Sequence, residues 1–109
     1  MEINLTRPFK IAQKRLKTVL AVGGQFKIGE TGQTISERVR DGVYRIDYNT
    51  AYEIYSSKNK LLIDALEVEL IKYAKRYYPT RCNNKNAISY GRTTDRNAKY
   101  FIYVVIFHD

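Results

Sequence analysis

Tryptophan is absent from this chain of 109 residues, which has one cysteine, Cys82, one histidine, His108, and two prolines. A single thiol forms no internal disulfide, and one thiol with one imidazole is too small a ligand set for a zinc site. No apolar run is long enough to span a bilayer: the longest, YFIYVVIF at 100–107, falls well short of the roughly 20 residues required. The N-terminal residues lack the charged, apolar and small-residue succession of a secretory leader, so the expected location is the cytoplasm. Acidic side chains are also scarce, 11 Asp and Glu against 19 Lys and Arg.

That imbalance leaves a formal net charge of +8 and a sequence pI near 9.6. Clustered Lys and Arg attract phosphate backbones by releasing condensed counterions, so a polyanionic partner, nucleic acid, is expected. A positive charge also serves plain solubility. A hydrophobic content of 44 % with ten tyrosines excludes a disordered chain. A chain of this length buries roughly two thirds of its unfolded surface, and one domain over residues 1–109 is expected.

Along the chain, Thr6 and Pro8 open a short basic helix with Phe9, Ala12 and Leu16 on one side and Lys10, Lys14, Arg15 and Lys17 elsewhere. TVLAV at 18–22 is apolar and rich in β-branched residues, GGQ at 23–25 reads as a turn, and FKIGE at 26–30 returns, predicting a β-hairpin. Thr34 followed by Glu37 forms a capping box, starting a helix at Ile35 whose inner side is Ile35, Val39 and Val43. AYEIYSS at 51–57 reads as a strand. From Asn59 a helix with a wide apolar arc, Leu61 to Tyr73, runs toward Pro79, which ends it. Residues 79–99 read as loop with a short strand at 87–92, and 100–107 as a final strand buried on both faces or covered by a helix.

The stretch FKIGETGQTISERVR at 26–40 resembles the second signature of the GIY-YIG nuclease superfamily, in the phage and bacterial branch that writes Lys-Ile-Gly. Lys27, Ile28 and Gly29 match the triplet, Thr31 the following threonine, and Arg38 the arginine of the first helix. In ALEVELIKYAKRYYPTRCNNK, Glu67, the Leu70-Ile71 pair, and Asn83 or Asn84 match the block on the long helix, so the resemblance covers about residues 18–85. It implies an α+β fold, a small sandwich of a three-stranded antiparallel sheet flanked by helices. Residues 86–109 would then be an extension carrying an extra strand.

The resemblance also implies a metal-dependent DNA endonuclease. Glu67 would hold Mg²⁺ or Mn²⁺, a hard cation that keeps most of its waters and takes few protein ligands. Arg38 would neutralise the nonbridging phosphate oxygens. Lys27 would accept the proton of the attacking water, and Asn83 would hold the site by neutral hydrogen bonds. The first family signature is missing its tyrosine, since TVLAVGG contains none.

From the residues alone, Glu67 lies on an apolar stripe with Ile63, Ile71 and Ala74, so its carboxylate needs a cation, a metal or an internal Lys or Arg. Glu69 has Lys72 within reach. Arg38 and Arg40 lie about equally far from their helix's apolar stripe, on opposite sides. A basic and aromatic patch of Arg40, Arg76, Arg81 and Lys85 with Tyr77 and Tyr78 suits nucleic acid. Two further readings stand beside the nuclease: a binding module that lost the chemistry, which this patch suits, and an interaction or inhibitor protein that offers its apolar last strand at a sheet edge.

Overall fold

The computed structural model describes residues 4–32, 50–84 and 99–107. They form a small α+β domain with two helices and a three-stranded antiparallel sheet. The order is α1 (Thr6–Leu20), β1 (Gln25–Thr31), β2 (Thr50–Ser57), α2 (Lys60–Tyr77) and β3 (Tyr100–Phe107). No helix among the described residues is long and apolar enough to cross a membrane.

The strand order is β1-β3-β2, so the last strand is the middle one and pairs antiparallel with both others. Its unbroken apolar sequence follows from that position. Ile102, Val104 and Ile106 face one side and Tyr103 and Val105 the other, and all five are at most 1 % exposed. Burying each of these side chains contributes about 1.5–3 kcal/mol. The expectation of burial on both faces is met. The expectations of an added strand beyond a complete sheet, and of an apolar strand offered at a sheet edge, are corrected: without β3, neither β1 nor β2 has its described sheet partner.

Both described helices cover the same side of the sheet, with α1 mainly over β2 and α2 mainly over β1. Ala12, Leu16 and Leu20 of α1 and Ile63, Leu66, Leu70, Ile71 and Ala74 of α2 close over Phe26, Ile28, Ile54, Ile102, Val104 and Ile106. Tyr103 and Val105, with Ala51 and Phe107, form a separate cluster on the reverse side.

The second helix starts and stops where its sequence predicts. The Asn59 side chain accepts from Leu62 N–H at 3.2 Å, and the helix ends ahead of Pro79. Its arc is narrower than the sequence implies, for Leu61 is 70 % exposed. The hairpin predicted over 18–30 is corrected. Thr18, Val19 and Leu20 continue α1, because Ala12, Leu16 and Leu20 recur every fourth residue and all three enter the core. A short β-branched pair at 18–19 is outweighed by that burial. Gly23 and Gly24, with φ of 84° and 91°, serve as a helix stop, and Gly23 N–H donates to Leu20 O at 3.1 Å. Thr6 lies inside the helix and Leu5 stands at its N-cap; the Asn4 side chain accepts from Thr6 N–H at 2.9 Å. The capping box at Thr34 and Glu37, the helix from Ile35 and the strand at 87–92 lie outside the described residues.

Candidate polyanion-binding surface

The residues matched to the nuclease signatures divide between the two sides of the sheet. Paired residues of neighbouring strands share a face, and Ile28 pairs with Val104 beneath the helices while Lys27 pairs with Val105 on the reverse side. Glu67 belongs to the inner face of α2, with Ile63, Leu70, Ile71 and Ala74, and is 3 % exposed. The sheet therefore lies between Lys27 and Glu67. Arg38 lies outside the described residues, as do Arg40 and Lys85.

Each remaining member of the constellation has a structural setting. Asn84 is buried, and its carboxamide accepts from Ile28 N–H and donates to Ile28 O, both at 2.8 Å. Asn83 is exposed and donates its backbone N–H to Phe26 O at 2.7 Å, while Phe26 N–H donates to Arg81 O at 2.8 Å. Residues 81–84 thus run along the outer edge of β1, next to the Lys-Ile-Gly triplet. Gly29 lies across from Tyr103, and a methyl group there would meet the phenol oxygen at 2.5 Å. The glycine is demanded by packing.

A hydrated Mg²⁺ does not fit the setting of Glu67. Such an ion keeps several waters, and this carboxylate sits in the close-packed interface between α2 and the sheet. The other buried acid among the described residues, Glu30, faces the same side of β1 as Ile28 and has the Lys60 ammonium 3.9 Å away. Lys60 also donates to both Asp64 oxygens at 2.9 and 3.0 Å. The Asp64 hydrogen bond raises its pKa above the ordinary lysine value, with further support from the Asp64 and Glu30 charges. Half-buried Cys82 has its thiol pushed up by burial, against the opposing effects of Asn84 and Lys75. Glu69 and Lys72 form the expected surface pair at 3.6 Å.

The predicted patch after α2 is mixed. Arg81 donates to Gly24 O at 2.8 Å and Leu20 O at 2.7 Å, and its guanidinium lies 5.5 Å from the Tyr78 ring centre and 5.9 Å from that of Phe26. It clamps the C-terminus of α1 to the segment following α2, where a cation also meets the negative end of the helix dipole. Tyr78 packs against the core. Arg76 and Tyr77 are exposed and stacked at 5.5 Å, so this pair is accessible to a ligand.

The most strongly charged described element is α1. Arg7, Lys10, Lys14, Arg15 and Lys17 are all exposed, and the helix contains no acid. Arg7, Lys10, Lys14 and Lys17 are spaced three, four and three apart, so they form one line on the side opposite Ala12, Leu16 and Leu20, over about 15 Å of helix. The core-facing residues fix the orientation: leucines at every fourth position point inward and force the lysines outward. The signal was present in the sequence, since the short basic helix expected before residue 18 already contains all four residues.

Beside the line, α1 and β2 leave an open groove of about 470 Å³, lined by Ile11, Lys14, Arg15, Thr18, Val19 and Glu53. A β-bulge shapes its far wall. Glu53 pairs with Tyr103 and Tyr55 with Ile102, leaving Ile54 as the extra residue, and Arg15 Nη1 donates to the Ile54 carbonyl at 3.0 Å. The bulge carbonyl is satisfied and the guanidinium is anchored at once. Comparison of the chain with protein-family models, with curated proteins and with solved structures returned no match.

Proposed function

We propose that this domain binds nucleic acid through the outer face of α1 and does so without cleaving it. The single observation that carries the reading is the line of Arg7, Lys10, Lys14 and Lys17, solvent-exposed on an element with no acidic residue. Four cations on one helix face repel each other and add nothing to folding, whereas a phosphate backbone turns that repulsion into counterion release. The net charge of +8 gives the same field a long reach at low salt. Arg76, stacked on Tyr77, supplies a further cation on a flat aromatic support.

Hydrolysis by Lys27, Arg38, Glu67 and Asn83 would need those groups around one phosphate. The separation of Lys27 from Glu67 by the sheet, and the close packing around Glu67, favour a binding role.

Two measurements test the proposal. Fluorescence anisotropy with labelled DNA across a salt series should give a steep log–log slope, and K10Q/K14Q/K17Q should flatten it by about two to three units. An unchanged slope in the triple variant would remove α1 from the interface. Plasmid incubated with Mg²⁺ or Mn²⁺ should show no nicking that disappears in Glu67→Gln; nicking that does disappear would restore the hydrolase.

A further inference from the structure

A ladder of aromatic rings leads from α1 to the surface at the end of α2. Phe9 of α1 meets Tyr73 edge to face with ring centres 6.0 Å apart, and Tyr73 meets Tyr77 at 4.8 Å with the planes tilted by 41°. Phe9 and Tyr73 pack against the core, whereas Tyr77, the last residue of α2, is 59 % exposed and adds little burial. The Arg76 guanidinium lies 5.5 Å from the Tyr77 ring centre. Phe9 stands between Arg7 and Lys10 in the chain, so two ring contacts join the cation line of α1 to this exposed pair. Resting on the nucleic-acid reading, we infer that the ligand is a single strand, whose phosphates follow the line on α1 while one of its bases stacks on the Arg76–Tyr77 pair.

The chemistry of the two surfaces divides the strand between them. Lysine and arginine side chains on the line offer only donors and positive charge, which suit phosphate oxygens. A phenol ring flanked by a guanidinium offers a flat face, which suits the π-face of any base and does not discriminate sequence. Tyr73 and Arg76 already hold the Tyr77 ring, so an arriving base finds it pre-oriented. In a duplex the base faces are stacked on neighbouring pairs, and only an unpaired base can turn one outward. A duplex can therefore satisfy the line through its phosphates, but it leaves the tyrosine unused.

The test uses the full chain and labelled probes about ten nucleotides long: a thymine deoxy-strand, a uracil ribo-strand, an abasic deoxy-strand with the same number of phosphates, and a duplex of the same length. The thymine strand should bind about tenfold tighter than the abasic strand, and tighter than the duplex. Tyr77→Leu keeps bulk beside Tyr73 but has no flat face; it should remove the tenfold margin and leave abasic and duplex affinities unchanged, whereas Tyr77→Phe should retain the margin. The chain has no tryptophan, so Tyr77→Trp installs a single reporter, whose fluorescence the thymine strand should quench and the abasic strand should not. The tighter of the thymine and uracil strands names the sugar, and either result supports the stacked base if Tyr77→Leu weakens that strand. An abasic strand that binds as well as the thymine strand, a duplex that binds more tightly, an unquenched tryptophan, or a Tyr77→Leu change that weakens every probe alike or none overturns the inference. Failure of every probe to bind would overturn the nucleic-acid reading itself; equal binding of all four overturns only the stacked base.

Discussion

At Ile28 the outer edge of β1 has an N–H and a carbonyl with no sheet partner on that side, and the Asn84 carboxamide meets both at 2.8 Å. A planar amide offers one donor and one acceptor side by side, which is the pattern a neighbouring strand residue would present. Asn84→Ala should therefore leave two buried backbone groups unmatched and cost about 2–3 kcal/mol, read as a lower urea midpoint at unchanged m. Asn84→Asp keeps the acceptor and loses the donor, setting a carboxylate against Ile28 O, and should be at least as damaging. Full stability in either variant would show that the pairing has no energetic weight. The asparagine matched to the nuclease block has, on this account, a structural task that follows from its position alone.

Between elements, β1 and β3 meet tightly at Gly29 and Tyr103. A methyl group at Gly29 has to displace the tyrosine ring, so Gly29→Ala should destabilise by about 1–3 kcal/mol. Combined with Tyr103→Leu, much of that cost should vanish, and a double-mutant cycle by urea denaturation should return a coupling of about 1 kcal/mol or more. Additive effects would refute the packing explanation. What could be read from local sequence divides along similar lines. The second helix was legible because cap, period and terminating proline agree within one segment. The second half of α1 was not, because Thr18, Val19 and two glycines mimic a hairpin, and only contact with Ile63 and its neighbours across the core selects the helix. The division of the candidate site was legible in part. Alternation along β1 already sets Lys27 opposite Ile28, whereas Glu67 lies in an apolar helical stripe; that the stripe packs on the Ile28 side is a tertiary fact.

For the molecule as a whole, strand order is the property that local pattern leaves open, since nothing within YFIYVVIF names its neighbours. Its placement between β1 and β2 makes the sheet depend on residues far apart in the chain. A chain truncated before Tyr100 should retain some helical circular dichroism but lose its cooperative urea transition. A sharp transition in the truncated protein would contradict the central role of β3. During synthesis, the same arrangement means that α1 and α2 can coil as they leave the ribosome, while the sheet must wait until residues 100–107 have cleared the exit tunnel. For that interval the nascent chain exposes Phe26, Ile28 and Ile54 to solvent, an invitation to chaperones that a domain with sequentially paired strands would not extend.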